Sequence, residues 1–303
     1  MIDVSVIMPI YNTPIRYVKD AIESIFKQAY DGSIELSIFN DGSTENYSQH
    51  LERLLDSLEF MDGVRLVYTK SHKNTGVGKA RDSAIRNSSG EYIMLLDSDD
   101  VLHPEAIKKC TNILNNYKKV QLVYSNLRRV SCDLKQTIYR MNSAVFQSLH
   151  EEFKHSLNDP ILHTTFILKV QMFRREAYFN LDGYNFRCSP GEDIEFCIRL
   201  SLSTDHINLC PVNDELYIYR DNPLGVYTKR YNELVTNIED AILYNAKKID
   251  DSISKVKRIG KIRDTFVTCY ALYDNDGQIK APYIDYRALT LLKICKDGDN
   301  ENT

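Results

Sequence analysis

The segment Glu91-Tyr-Ile-Met-Leu-Leu-Asp-Ser-Asp-Asp100 joins an apolar run of strand length to three carboxylates, Asp97, Asp99 and Asp100. Burial favours the first half, whereas unpaired carboxylates are expensive to bury. The strand must therefore deliver its acids to an edge of the core. If it ends near Leu96, a tight turn can converge Asp97 and Asp99 on one ligand. Carboxylates at the carboxyl end of a sheet strand suit a magnesium or manganese ion and the pyrophosphate oxygens that it bridges. The plainer alternative is a turn in which Asp99 or Asp100 caps a helix beginning near Pro104 and the other acids are solvated.

Other segments end in the same manner. Asn40-Asp-Gly-Ser-Thr44 follows the apolar Ile34–Phe39. Asp41 suits acceptance from a ribose hydroxyl or a base N–H, and Gly42 permits the turn; an Asx hydrogen bond in a plain turn is the alternative. Pro9-Ile-Tyr-Asn12 offers Tyr11 for stacking on a base and Asn12 for tying the loop. The stretch His72–Asp82 contains neither GxxxxGK[ST] nor GxGxxG, so it is not a standard phosphate loop. Its Gly76 and Gly78 allow close approach at a helix start. Arg81 is expected at the edge of a site, reaching phosphates or the acidic cluster, although a structural pair with Asp97 suits it equally. Glu192 and Asp193 open a helix behind Gly191. Adjacent helical residues point about 100° apart, so one can address a reacting atom while the other braces a loop. Asp193 is the expected general base for a hydroxyl proton; simple matching of acids to the helix dipole is the alternative. His163, Thr164 and Thr165 are weaker candidates for lining an acceptor approach, and Lys229 and Arg230 for a lid.

These residues need a scaffold, and the pattern of the first 125 residues predicts one. Val4–Met8, Ile34–Phe39, Val64–Tyr68, Tyr92–Leu96 and Val120–Tyr124 have strand length and β-branched character. A helix between the first two has Thr13 as its expected N-cap, Pro14 in its first turn and Val18, Ile22, Ile25 and Phe26 on one stripe. Further helices are expected over Gly76–Asn87 and Pro104–Tyr117. Strands alternating with helices imply a mainly parallel, Rossmann-like α/β sheet covered on both faces. The strand after Leu134 is a candidate for antiparallel pairing. Past Tyr227 helices are expected near 231–249, 252–274 and 282–296, giving a helical C-terminal extension over 223–303. A domain over 1–222 is expected, with halves of about 1–125 and 126–222.

Composition narrows the partners. The chain has 303 residues, 43% hydrophobic and 26% charged, with a net charge of −4. That balance gives no global attraction for nucleic acid. No stretch approaches the roughly 18 apolar residues of a membrane span. The first residues read as a strand, with Asp3 where a signal peptide needs positive charge. The seven scattered cysteines form no CxxC pair and suit a reducing compartment, so the cytoplasm is expected. The segment 225–263 carries nine Lys or Arg against five Asp or Glu. It is either a solvated face or a peripheral contact with the inner face of a membrane.

Taken in order, Val4-Ser-Val-Ile-Met-Pro-Ile-Tyr-Asn12, Asn40–Thr44, Asn74-Thr-Gly-Val-Gly-Lys-Ala-Arg-Asp82, Leu95–Asp100 and Gly191-Glu-Asp-Ile-Glu-Phe-Cys-Ile-Arg-Leu200 resemble the family 2 nucleotide-sugar glycosyltransferases, whose members have the GT-A fold. Gly183 and Tyr184 match that family's glycine-aromatic element. The resemblance covers about residues 2–222 and implies a nucleoside contact at Asp41, a base pocket lined by Tyr11, a nucleotide-sugar contact at Asp97, a metal ligand at Asp99 and a catalytic base at Asp193. Pro9, Gly76, Arg81 and Ser98 complete the expected nucleotide-sugar set, with Glu192, Tyr219 and Arg220 as acceptor or supporting residues. Two departures stand out. Asp82 replaces the asparagine common after the arginine, adding negative charge near the site. Tyr217-Ile-Tyr-Arg220 is followed by Asp221, Asn222 and Pro223 rather than by a histidine, leaving Asp221 or a water to substitute.

The expected activity is metal-dependent, inverting transfer of a sugar from a nucleotide diphosphate-sugar, with uridine as the expected nucleoside. The acceptor is a glycan or other hydroxyl, in polysaccharide or glycoconjugate synthesis. The rivals are a nucleotidyltransferase making the activated sugar and a non-catalytic nucleotide-sugar-binding module. The first needs a basic triphosphate loop, and Pro9–Pro14 has neither lysine nor glycine.

Overall fold

Strand β1 (Val4–Ile10) sends Val4, Val6, Met8 and Ile10 into one apolar cluster and Ile7 into a second. Strands β2 (Ile34–Asp41) and β4 (Tyr92–Leu95) divide their side chains the same way. A sheet so buried on both faces needs helices on both. Helices α1 (Ile15–Phe26) and α2 (Glu45–Ser57) supply the first cluster, and α3 (Val77–Arg86) the second. The computed structural model describes residues 2–59, 63–141, 170–203, 209–223, 225, 231–247, 253–261 and 268–276. The histidine-threonine stretch at 163–165, Lys229, Arg230 and the helix expected at 282–296 lie outside them.

The remaining elements are β3 (Val64–Ser71), β5 (Val101–Leu102), α4 (Ala106–Asn116), β6 (Leu122–Val130), β7 (Thr137–Met141), β8 (Val170–Arg174), α5 (Arg175–Asn180), a 3-10 turn (Phe186–Cys188), α6 (Glu192–Leu202), β9 (Leu209–Arg220), α7 (Tyr231–Ala246), β10 (Ile253–Lys261) and β11 (Thr268–Asp274). Nine strands form one sheet in the order β3-β2-β1-β4-β8-β6-β9-β5, with β7 beside β6. Its β1–β2, β1–β4, β2–β3 and β6–β9 pairs are parallel. The β4–β8, β5–β9, β6–β7 and β6–β8 pairs are antiparallel. The sheet is thus mixed, not mainly parallel, because β8 re-enters between β4 and β6 against their direction. β7 pairs antiparallel, as expected for the strand after Leu134.

Two further expectations change. Helix α1 begins with Pro14 at its cap and has no side-chain cap hydrogen bond. Thr13 Oγ1 instead bonds Ser98 Oγ at 2.8 Å, drawn away by the acidic turn. The helix expected at 252–274 is an antiparallel pair, β10 with β11. β-branched residues at 253, 256 and 259, with Gly260 inside the run, favour extended chain over helix. The lysines and arginines at 255, 257, 258 and 261 therefore stand on a strand, not on a basic helix.

The order β3-β2-β1-β4 reverses direction at β1. β1 pairs with β4 only as far as Ile7–Leu95, yet it continues beside β2 to Ile10. Pairing between β1 and β4 stops at Leu95, and a reversal of strand order of this kind is where open α/β sheets form a ligand crevice. Gly42 makes the loop beyond β2 possible. Its φ is +67°, and a Cβ there would stand 2.2 Å from the Lys73 carbonyl carbon. Gly42→Ala is expected to lower stability by roughly 1–3 kcal/mol, read from the urea midpoint. An unchanged midpoint would contradict this close approach of the two loops.

Candidate active site

Side-chain hydrogen bonds stitch the loops around this point into a ring. Asn12 Oδ1 accepts from the Thr44 amide at 3.0 Å, and Ser43 Oγ accepts from the Asn12 amide at 3.0 Å. Asp41 is buried, and its carboxylate accepts from the Thr75 amide at 2.9 and 3.0 Å, the Thr75 hydroxyl at 2.7 Å and the Gly76 amide at 2.9 Å. The Thr13–Ser98 bond closes the first loop onto the acidic turn. Tyr11 stands at the mouth, 53% exposed.

Arg81 joins this ring to the helix that carries the second acidic pair. From α3 its Nη2 reaches Asp97 Oδ1 at 2.5 Å and its Nη1 reaches Glu192 Oε1 at 2.6 Å, with Asp193 Oδ2 at 3.9 Å from the same Nη1. Burial works to lower the guanidinium's pKa, but Asp97, Glu192 and Asp193 together hold it well above the ordinary value. Burial pushes the Glu192 carboxyl up; Arg81 opposes this and Asp193 adds to it. Glu192 is 1% exposed and Asp193 27% by side chain, so the first is a buried brace and the second faces outward. Gly191, in the left-handed region at φ +115°, turns the chain into α6.

The Asp97–Asp100 turn is fixed from behind by β9. The Tyr217 hydroxyl donates to Asp100 Oδ2 at 2.7 Å and accepts from the Asp97 amide at 3.2 Å. Asp100 Oδ1 accepts from the Arg220 amide at 2.8 Å. The buried Arg220 guanidinium donates to the Asp99 and Cys132 carbonyls at 2.7 and 2.6 Å and to Asp20 at 2.7 Å, and lies 4.2 Å over the Tyr17 ring. Asp99 Oδ2 accepts from Asn222 Nδ2 at 2.7 Å. Burial, reinforced by Asp100, raises the pKa values of Tyr217 and Tyr219, which keeps both phenols neutral.

The geometry therefore places Asp41, Gly76, Arg81, Asp97, Ser98, Asp99, Glu192 and Arg220 in the hydrogen-bonded loops of this region, with Asp193 joined by its 3.9 Å ion pair to Arg81. Pro9 lies beside Phe39, one residue before the paired part of β1 ends at Ile10. Tyr219 enters through its neighbours, with the Arg129 guanidinium 6.0 Å from its ring. Asp82 is taken up by Arg86 and by the Tyr178 hydroxyl, each at 2.8 Å. Asp221 pairs with Arg129, and Asn222 is the residue that reaches Asp99. Roles for Tyr217, Thr75 and Asn222 were not evident from the sequence. Strand alternation, which sets Tyr217 beside Tyr219 on one face, was the available signal for the first; an amide donor and a loop threonine leave none.

The family model for glycosyl transferase family 2 matches residues 5–181. The chain belongs to glycosyl transferase family 2. It is 26% identical over 255 residues to a hyaluronan synthase of Pasteurella multocida, covering 82% of this chain and 24% of that protein. It is 25% identical over 272 residues to a chondroitin synthase of Escherichia coli, covering 82% and 37%. The chain thus spans well under half the length of these two relatives. Against glycosyltransferase GlyG of Streptococcus pneumoniae serotype 4 the identity is 24% over 304 residues, covering 97% and 93%. Among solved structures, S. aureus TarS 1-349 in complex with UDP-GlcNAc superposes with a TM-score of 0.60 at 19% identity, covering 82% and 68%. The mannosyltransferase PcManGT from Pyrobaculum calidifontis, in complex with GDP-Man and Mn2+, does so at 0.57 and 15%, covering 83% and 65%. These likenesses relate the mixed α/β fold to that of GT-A glycosyltransferases.

In this family 2 chain the tyrosine behind the acidic turn is open to a clean test. Tyr217→Phe keeps the ring and removes both hydroxyl bonds at once. Urea unfolding is expected to show a loss of about 1–3 kcal/mol; a loss below 0.5 kcal/mol, on the order of a surface change, would show that the turn is held without it.

Proposed function

We propose that this protein transfers a sugar from a nucleotide diphosphate-sugar, with uridine as the nucleoside, to an acceptor hydroxyl with inversion, in polysaccharide or glycoconjugate synthesis. The observation that carries the reading is the Arg81 bridge. It brings Asp97, at the end of β4, and Asp193, at the start of α6, onto one guanidinium although 96 residues separate them in sequence. Family membership and the likeness to a hyaluronan synthase and a chondroitin synthase support the same class of reaction.

The donor's nucleoside would lie in the crevice between β1 and β4, with Tyr11 against the base and Asp41 behind the loop at 75–76. Asp97 and Ser98 face the diphosphate-sugar. The Asp193 carboxylate takes the acceptor's proton as the acceptor oxygen bonds to the anomeric carbon. The bond from that carbon to the diphosphate oxygen breaks in the same step, and the nucleoside diphosphate leaves with the electron pair. One displacement from the opposite face inverts the configuration.

No group of three or more His, Cys, Asp or Glu among the described residues is arranged to hold a metal alone. The acidic turn nevertheless fits a hard cation completed by substrate, since its donors are carboxylate oxygens and a phosphate-bound magnesium or manganese needs only one or two of these from the protein. Asp99 would hold it, and the ion would neutralise charge developing on the departing diphosphate. Among the described residues no helix is long and apolar enough to cross a membrane.

A donor screen, read as release of nucleoside diphosphate from UDP- and GDP-sugars with manganese or magnesium, tests the assignment. Asp193→Asn is expected to keep donor binding and metal dependence and to reduce transfer by about 10²–10⁴-fold. Transfer near the wild-type rate would remove Asp193 from the role of base. Asp99→Asn is expected to weaken UDP binding only when manganese is present, measured by calorimetry; equal weakening with and without the ion would count against its place as ligand.

A further inference from the structure

Two carboxylates compete for one nitrogen. Arg81 Nη1 lies 2.6 Å from Glu192 Oε1 and 3.9 Å from Asp193 Oδ2. The guanidinium is held at its two terminal nitrogens, while Nε is buried without a hydrogen-bond partner. Nε therefore makes no hydrogen bond that would oppose a shift of Nη1 toward Asp193. Glu192 is what occupies that nitrogen.

Glu192 helps to balance the buried Arg81 charge, but it does so through one oxygen only. Glu192 is 1% exposed, its Oε2 has no hydrogen-bond partner, and it stands among other acids. A desolvated carboxylate with an oxygen left unbonded costs free energy, although removing it alone would also leave the buried Arg81 short of an anion. Room has also been made for it. A Cβ on Gly78 would approach Glu192 Cγ at 3.1 Å and Cδ at 3.2 Å, so the bare glycine on α3 admits the carboxylate. Burial of strained or desolvated charge of this kind concentrates at functional sites.

We propose that Glu192 is a positioning residue that holds Arg81 on the Asp97 side of the cluster and keeps the guanidinium from closing its 3.9 Å contact with Asp193 into a hydrogen-bonded pair. The inference rests on the reading of Asp193 as the base. A base closed into a tight ion pair with arginine is a poorer proton acceptor, because an opposite charge stabilises its ionised form. Glu192 thus leaves Asp193 near a cation but not quenched by it. Among the described residues, Asp193 interacts with Arg81 on α3, Tyr184 before the 3-10 turn, and Glu192 and Cys197 on its own helix, while Asp97 reaches the same region through Arg81, and Glu195 and Arg199 through Cys197. Asp240, on α7, reaches the same region through Cys188.

The test is Glu192→Gln, which keeps the shape and removes the charge, with the folded state checked by thermal unfolding. Carbon-13 NMR titration of the unliganded protein, with the Asp193 carboxyl assigned by its loss in Asp193→Asn, reads the contact without turnover. The Asp193 midpoint is expected to fall by about one pH unit or more in Glu192→Gln, and most of that fall must vanish when Arg81→Met is added. An unmoved midpoint, or a fall that persists in full without Arg81, overturns the proposal. In turnover of UDP-GlcNAc or GDP-mannose, whichever the wild type consumes faster, kcat should drop by about tenfold or more while the UDP dissociation constant stays within about threefold. The acid limb of the kcat profile should move to lower pH. Equal losses in binding and kcat would mark Glu192 as merely structural. If Asp193→Asn itself turns over normally, the assignment of the base fails and this inference with it. If Asp193→Asn is inactive but Glu192→Gln leaves midpoint and limb in place, the base stands and only the inference falls.

Discussion

A buried arginine needs buried anions, and the organisation of this site follows from that demand. Arg81 is 6% exposed, and its charge is met by Asp97 and Glu192 at hydrogen-bond distance with Asp193 just beyond. Removing one partner from such a pair typically costs about 3–5 kcal/mol, so the residues cannot drift apart independently. The acidic turn, the start of α3 and the start of α6 are thereby made into one unit. The excess of carboxylate over guanidinium leaves the cluster negative, which suits a cation arriving with a diphosphate.

Around this centre the labour is divided by which atoms are already engaged. Asp100 is buried and bonded to Tyr217 and the Arg220 amide, so it shapes the turn. Asp99 is half-buried and shares one oxygen with Asn222. Asp41 spends its carboxylate on Thr75 and Gly76, so it fixes the loop that follows β3. Arg220, from the far end of β9, ties the turn to Asp20 and Tyr17 of α1. The acidic turn is thus pinned from both β9 and α1.

Much of this was legible in the sequence because burial and periodicity are local. The alternation in Val4–Ile10 and the apolar run before Asp97 identify strands, and polar residues at their ends identify the edge where chemistry is possible. Ordered motifs then pointed to the family. Pairing direction was not legible, since the β8 residues Val170–Arg174 say that they form a strand but not which neighbours receive it. The pair β10–β11 was missed because apolar residues spaced by three suit a helix stripe as well as a strand rich in β-branched residues. Partner choice in the site was equally hidden: the sequence places Arg81 near acids, but only the fold decides that Nη1 takes Glu192 before Asp193.

The central claim is that Arg81 couples the acidic turn to the start of α6, and a double-mutant cycle at its anchor in the turn addresses it most directly. Arg81→Met, Asp97→Asn and the double variant would be compared by urea unfolding against the wild type. The account predicts that the double variant loses less stability than the sum of the singles, with a coupling of about 1–3 kcal/mol. Additive losses, within about 0.5 kcal/mol, would contradict it and leave the two residues as neighbours without a shared function.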